Sequence, residues 1–162
     1  MQIHGIISQF PKEVKGLIFA FIITLSIGFY SGIRFVNDTS KSNPQGIEER
    51  YLGNEENEAA TTMQYKKSKA EIMTLVHNHI LSLSVIFFLL GGLVATTGVN
   101  KKLKLFLMIE PFISILFTFG GIYLMWSGVI WFKYVIMISG MLMTLTFLLS
   151  TFFILRALLI KK

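Results

Sequence analysis

The sequence predicts an all-α integral membrane protein, four transmembrane helices in a bundle with one long outer loop. Three observations carry that expectation. Charged residues make up 15% of the chain and hydrophobic ones 53%, whereas roughly a quarter of a soluble domain is charged. Four stretches are long and apolar enough to cross a bilayer core of about 30 Å, which takes roughly 20 helical residues. One connection is also much longer and more polar than the other two. A closed barrel is excluded, because it would read as alternating segments of about ten residues and these runs are continuously apolar.

The first span, about residues 16–36, contains 18 uncharged residues from Gly16 to Ile33. A charged start before an apolar run also describes a secretion signal. The flank Tyr30-Ser31-Gly32-Ile33-Arg34-Phe35-Val36 offers no small-x-small cleavage site, so the run reads as an uncleaved anchor. The outer polar loop, 37–70, is rich in Ser, Asn, Glu and Lys, too long for a simple turn and too polar to form a core of its own. An ordered loop of this composition calls for a neighbouring protein to pin it, with Ile47, Tyr51 and Leu52 as partner-binding anchors.

The second span, about 72–97, lies in the 29 uncharged residues between Glu71 and Lys101. The third, about 105–126, lies within Leu105 to Phe132, a run with a single charge at Glu110. The fourth, about 133–156, contains the 22 uncharged residues between Lys133 and Arg156. The whole of 1–162 thus forms a single four-helix membrane domain.

Lysine and arginine in short segments set orientation. Lys12, Lys15, Lys101, Lys102, Lys104, Arg156, Lys161 and Lys162 fall at one end of such a bundle. The long loop carries seven acids from Asp38 to Glu71 against five bases, and the third connection only Lys133. Both termini are expected to be cytoplasmic in a bacterial inner membrane, with the acidic loop outside. The formal charge of +6 then reflects anchoring at the inner face. No basic run with interleaved aromatics lies outside the spans, so nucleic acid is not an expected partner.

The chain has no cysteine, which excludes disulfides, thiolate nucleophiles, iron-sulfur ligation and c-type haem attachment. It also lacks a glycine-rich phosphate loop, a Gly-x-Ser-x-Gly elbow and a His-Glu-x-x-His run. Small and hydroxylated residues recur at three- and four-residue spacing on each helix. They are Ala20, Thr24, Gly28, Ser31 and Gly32 on the first; His77, Ser84, Gly91 and Ala95 on the second; Glu110, Ser114, Thr118 and Gly121 on the third; and Gly140, Thr144 and Thr151 on the fourth. Such stripes let helices approach closely inside a bundle, and the Met- and Phe-rich opposite faces then meet lipid.

Ionisable groups at membrane depth are costly and point to function by default. His77 and His79 sit near the outer end of the second span, about 200° apart around the helix. His77 shares the small-residue stripe and is expected to face the bundle, with His79 facing lipid, a partner or the interface. Interfacial capping accounts for both. The cofactor alternatives are axial ligation of a haem b iron, with Arg34 meeting the propionates, or a hydrogen bond to a quinone carbonyl. A second haem ligand is not supplied by His4, which lies at the other end of the spans. Glu110 precedes Pro111 and follows Lys104. It marks a helix start in the headgroup zone, or else it is a proton-relay carboxylate. It lies too far from His77 to form a catalytic pair.

The order Gly46-Ile47-Glu48-Glu49-x-Tyr51-x-Gly53-Asn54-Glu55, then Lys67-Ser68 and His77-x-His79 entering an apolar helix, resembles small bacterial four-helix membrane proteins associated with cytochrome and respiratory gene clusters. The resemblance spans residues 46–92. It implies an accessory role beside electron-transfer proteins, with His77 and His79 the positions of interest. Glu49 stands where that pattern has a histidine, so no third ligand is implied. The expected function is an accessory subunit of a larger inner-membrane complex in respiratory electron transfer, without catalysis of its own. It would contact other membrane subunits, outer-side proteins and lipid. The alternative is a subunit binding haem b or quinone through His77 or His79. A free-standing transporter fits less well, since four helices without internal repeats leave little to line a pathway.

Overall fold

The computed structural model describes residues 5–55 and 62–159. A 3₁₀ turn, Ile6–Gln9, leads into α1, Lys12–Ser40, followed by α2, Pro44–Leu52, and α3, Lys69–Ala95. Next comes α4, Lys101–Ile115, which runs through a π turn, Leu116–Gly120, into α5, Gly121–Trp126; α6, Phe132–Leu159, completes the chain. No strand occurs among the described residues. The helices α1, α3, α4 with α5, and α6 are each long and apolar enough to span a membrane, which makes this a multi-pass membrane protein with four candidate spans.

Local chemistry sets the boundaries. The Asn100 side chain accepts from the Leu103 N–H at 2.9 Å, capping α4, so Lys101, Lys102 and Lys104 belong to its first turn. Ser68 and Glu71 form a reciprocal capping box that starts α3 three residues before its expected start. The helix α1 continues through Asn37 to Ser40 and stops where Lys41 turns left-handed at φ 51°, its N–H bonded to Asn37 O.

The core is a seam between α4 with α5 and α6. Leu107, Glu110, Ser114, Ile115, Thr118, Phe119, Ile122 and Met125 are buried on one side, and Ile136, Ser139, Met143, Thr146, Phe147, Ser150 and Ile154 on the other. Spacings of three and four put each set on one helix face. Gly91 on α3 lets that helix come close to α4, where an added methyl would stand 3.8 Å from Met108 Cα. By contrast, 11% of the apolar window of α1 is buried, against 44% for the span from Lys101 to Trp126. Ile18 and Ile22 are its buried apolar residues.

The two ends of the bundle differ. At the terminal end, Gly5 N–H and Ile7 N–H bond Thr97 O and Thr96 O in the α3–α4 turn. Lys104 Nζ donates to Ala95 O and Thr97 O at 2.8 Å each, a cation set on the last carbonyl of α3 and on the turn that follows it.

At the loop end, the polar segment expected to need a neighbouring protein to order it carries a helix and internal contacts of its own. Residues 44–52 form α2, because Asn43 accepts from Gly46 N–H at 2.7 Å and Pro44 supplies a preset first-turn φ. Gly46 lies so close to α1 that an added Cβ would fall 2.0 Å from Ser40 O. Beyond α2, Asn54 N–H donates to Gln64 O, Gln64 N–H donates back to Asn54 Oδ1, and Lys67 N–H donates to Tyr51 O. Trp126 Nε1 then donates to Lys67 O at 2.8 Å, and Lys133 pairs with Glu48. The chain's own helices therefore pin this segment.

Candidate functional site

The proposed partner anchors turn inward. Ile47 is buried, and Tyr51 and Leu52 are half-buried against the same apolar cluster. Their apolar surface is used within this chain, because α2 packs against α1, α5 and α6. Arg50 sits over the Phe35 ring at 4.7 Å and the Tyr51 ring at 5.6 Å, joining α2 to α1. Burial pushes the Tyr51 phenol above its ordinary value, with the neighbouring Arg50 guanidinium opposing the shift. A polar cleft of about 790 Å³ opens here, lined in part by Asp38, Lys41, Glu49, Arg50 and Lys67.

The two histidines exchange the roles expected of them. His77 is exposed on α3. His79 is also exposed overall, yet its ring stacks on Phe119 at 4.7 Å and its Nδ1 lies 2.8 Å from Leu75 O. It is His79 that meets the neighbouring helix, on the buried π turn, because Ile72 and Phe87 set the inward phase of α3. Arg34 is exposed on α1. Among the described residues no three His, Asp or Glu side chains gather as a metal site, and His4 lies outside the described residues.

Glu110 lies inside its helix. Because α4 starts at Lys101, Pro111 stands in the helix interior, and about 1.5 Å per residue puts Glu110 roughly 14 Å along the span from Lys101. The expectation of a helix start at Glu110 fails because the cap is at Asn100, ten residues earlier. The Glu110 side chain is buried at 8% exposure, Oε1 accepts a hydrogen bond from Ser114 Oγ, and Oε2 has no partner among the described residues. About two turns on, the Thr118 hydroxyl on the π turn and the Ser139 hydroxyl on α6 bond each other at 2.7 Å.

The small-residue stripes divide. Glu110, Ser114, Thr118 and Gly121 are buried as expected. On α6 the expected Thr151 is buried and Gly140 and Thr144 half-buried, but Ser139, Thr146 and Ser150 are buried too. These three were legible as hydroxyls at seven- and four-residue spacing, in phase with Ile136, Met143 and Ile154. On α1 the stripe faces away from the bundle. Ala20, Thr24, Gly28, Ser31 and Gly32 are all exposed, and Gly16 extends the row at the same four-residue step. A methyl placed at Gly16, Gly28 or Gly32 would meet nothing within 4 Å.

These features define a four-span helical membrane protein, capped at one end by its own loop and carrying an uncovered helix face on α1. Residues 41–162 match a family described as a transmembrane helical domain, and the chain belongs to that family. The match begins at Lys41, the residue just after α1, so α1 itself precedes the matched range. No curated protein and no solved structure matches the chain.

Proposed function

We propose that this chain is an accessory structural subunit of a larger membrane assembly and that it joins that assembly through α1. The row Gly16, Ala20, Thr24, Gly28, Gly32 supports this reading, since it is small at every fourth position and exposed throughout. Lipid gives no reason to keep a helix face free of side chains, whereas a second helix does. Small residues let backbones approach, and an i, i+4 ridge packs on another helix at a right-handed crossing of about −40°. The remaining three spans and the capped loop end then act as the frame that holds α1 in position. Cytoplasmic termini in a bacterial inner membrane are part of the same reading, supported by the lysines at the terminal end. The resemblance around His77 and His79 points to a respiratory setting.

A photoreactive side chain at Thr24 in the full chain should give an adduct with a discrete membrane protein, and one at Phe88, which is 72% exposed on α3, should not. Replacing Gly28 with Leu should abolish the adduct while insertion is retained. A chain that runs as a lone monomer in mild detergent and gives no adduct at Thr24 would remove the basis of this function.

A further inference from the structure

We infer that Glu110 is a proton-binding site inside the membrane domain, with Oε2 carrying the hydrogen. The side chain is more than nine-tenths buried, and Oε1 is occupied by the Ser114 hydroxyl. Oε2 is buried with no partner among the described residues. An ionised carboxylate there would be an uncompensated charge in an apolar medium, which costs far more than a protein tolerates, and such groups neutralise instead.

The surroundings explain why no other side chain neutralises it. The Thr118–Ser139 bond sets the antiparallel register of α4 and α6, so eight residues along each helix bring Glu110 level with Phe147. Phe147 is 2% exposed and stacks on Phe29 at 3.9 Å, with Phe87 edge-on at 6.3 Å. The hydroxyl nearest that level on α6, Thr146, donates to its own helix carbonyls at Leu142 and Met143. No other charged residue lies between Lys104 and Lys133 on the Glu110 span, between Lys133 and Arg156 on α6, between Glu71 and Lys101 on α3, or between Lys15 and Arg34 on α1. The nearest titratable groups on α3 are His77 and His79, and His79 is level with Phe119, some nine residues along from Glu110.

The same helix turn also leaves one backbone carbonyl without its helical donor. Pro111 has no N–H, so the buried Leu107 carbonyl lacks its usual α-helical donor on the face that Glu110 shares. Binding forms one O–H bond between a proton and a carboxylate oxygen, with no other reactant. Releasing the proton leaves a bare charge in the α4–α6 seam, so the packing of that seam and occupancy of the site are linked. Ser114, Thr118 and Ser139 continue the polar line one to two turns toward the loop end.

The test uses the full chain in lipid nanodiscs at neutral pH. Infrared spectroscopy should show a protonated-carboxyl C=O band that is absent after Glu110→Gln, the neutral isostere that keeps an acceptor for Ser114. No such band in the native chain, or its persistence in the variant, overturns the proposal. Should the variant fail to fold, an apolar carbodiimide applied to the native chain decides the matter, since it adds to protonated carboxyls in apolar surroundings. Peptide mass mapping should find the adduct at Glu110. Labelling confined to the loop acids overturns the proposal.

Discussion

Lys133 Nζ lies 2.5 Å from a Glu48 carboxylate oxygen, tying the first turn of α6 to α2 across 85 positions of sequence. The two side chains are 17% and 26% exposed, so solvent screens this pair less than a surface one. Lys133→Met or Glu48→Gln alone should each destabilise the loop end, and the double variant should lose less than the sum. A non-zero coupling between the two positions is the expected outcome. Unfolding curves in micelles measure it, and strictly additive losses would mean that the pair contributes nothing.

Gly46 is the point where α2 touches α1. A Cβ 2.0 Å from Ser40 O cannot be accommodated by moving a side chain, so Gly46→Ala must displace backbone, at a cost of about 1–3 kcal/mol. The expected readout is faster proteolysis between α1 and α3, with all four spans still inserted. Unchanged protease resistance would show that α2 docks loosely.

The four spans were legible because a bilayer demands some 20 apolar residues per helix, and each demand is local. The helix α2 was not read, although Asn43-Pro44 at its start and Gly53 at its end carry the stop and start chemistry. Ile47, Tyr51 and Leu52 are too few apolar residues to mark it as a helix by pattern, and its stability comes from their packing on distant helices. The row on α1 was visible as spacing, but an i, i+4 ridge reads the same whether a neighbour covers it or not. At Glu110 the reading of Pro111 as a helix start missed Asn100, whose side chain caps the helix ten residues earlier by satisfying a backbone donor at Leu103.

Tyr51 gives the loop end a pH limit. Its phenol is raised above the ordinary value near 10, chiefly by burial. The folded state therefore disfavours the tyrosinate, and the stability this confers is complete below pH 10 and lost as pH climbs through the raised value. Ultraviolet titration should show a late-ionising tyrosine that disappears in Tyr51→Phe. Disorder of the loop at pH 8 would contradict this account.

Orientation can be read with single cysteines, since the chain has none of its own. Ser42 lies at the loop end and Asn100 in the α3–α4 turn at the other. An impermeant thiol reagent added to intact cells should label a cysteine at position 42 and leave one at 100 untouched, as the lysines of the terminal end require. The reverse labelling would invert the topology.

The histidines separate capping from cofactor roles, now with the expected sensitivities exchanged. A seven-residue repeat drifts about 20° per heptad on a straight helix, so the stripe linking His77 to Gly91 across two heptads leaves His77 off the buried face. His79 stands one heptad from buried Ile72 and reaches the Phe119 ring at 4.7 Å. Replacing His79 with Ala removes a ring contact worth about 0.5–1.5 kcal/mol and the bond to Leu75 O, so the variant should melt measurably earlier. His77→Ala, on an exposed face, should change stability by less than about 0.5 kcal/mol. A haem or quinone held by either residue predicts something different in kind, the loss of an absorption band or of electron transfer in the whole assembly. Redox difference spectra of the native chain and both variants therefore decide the matter. A band that vanishes with His77 would restore the cofactor role, and small stability effects with no band would leave His79 as a packing contact on the π turn.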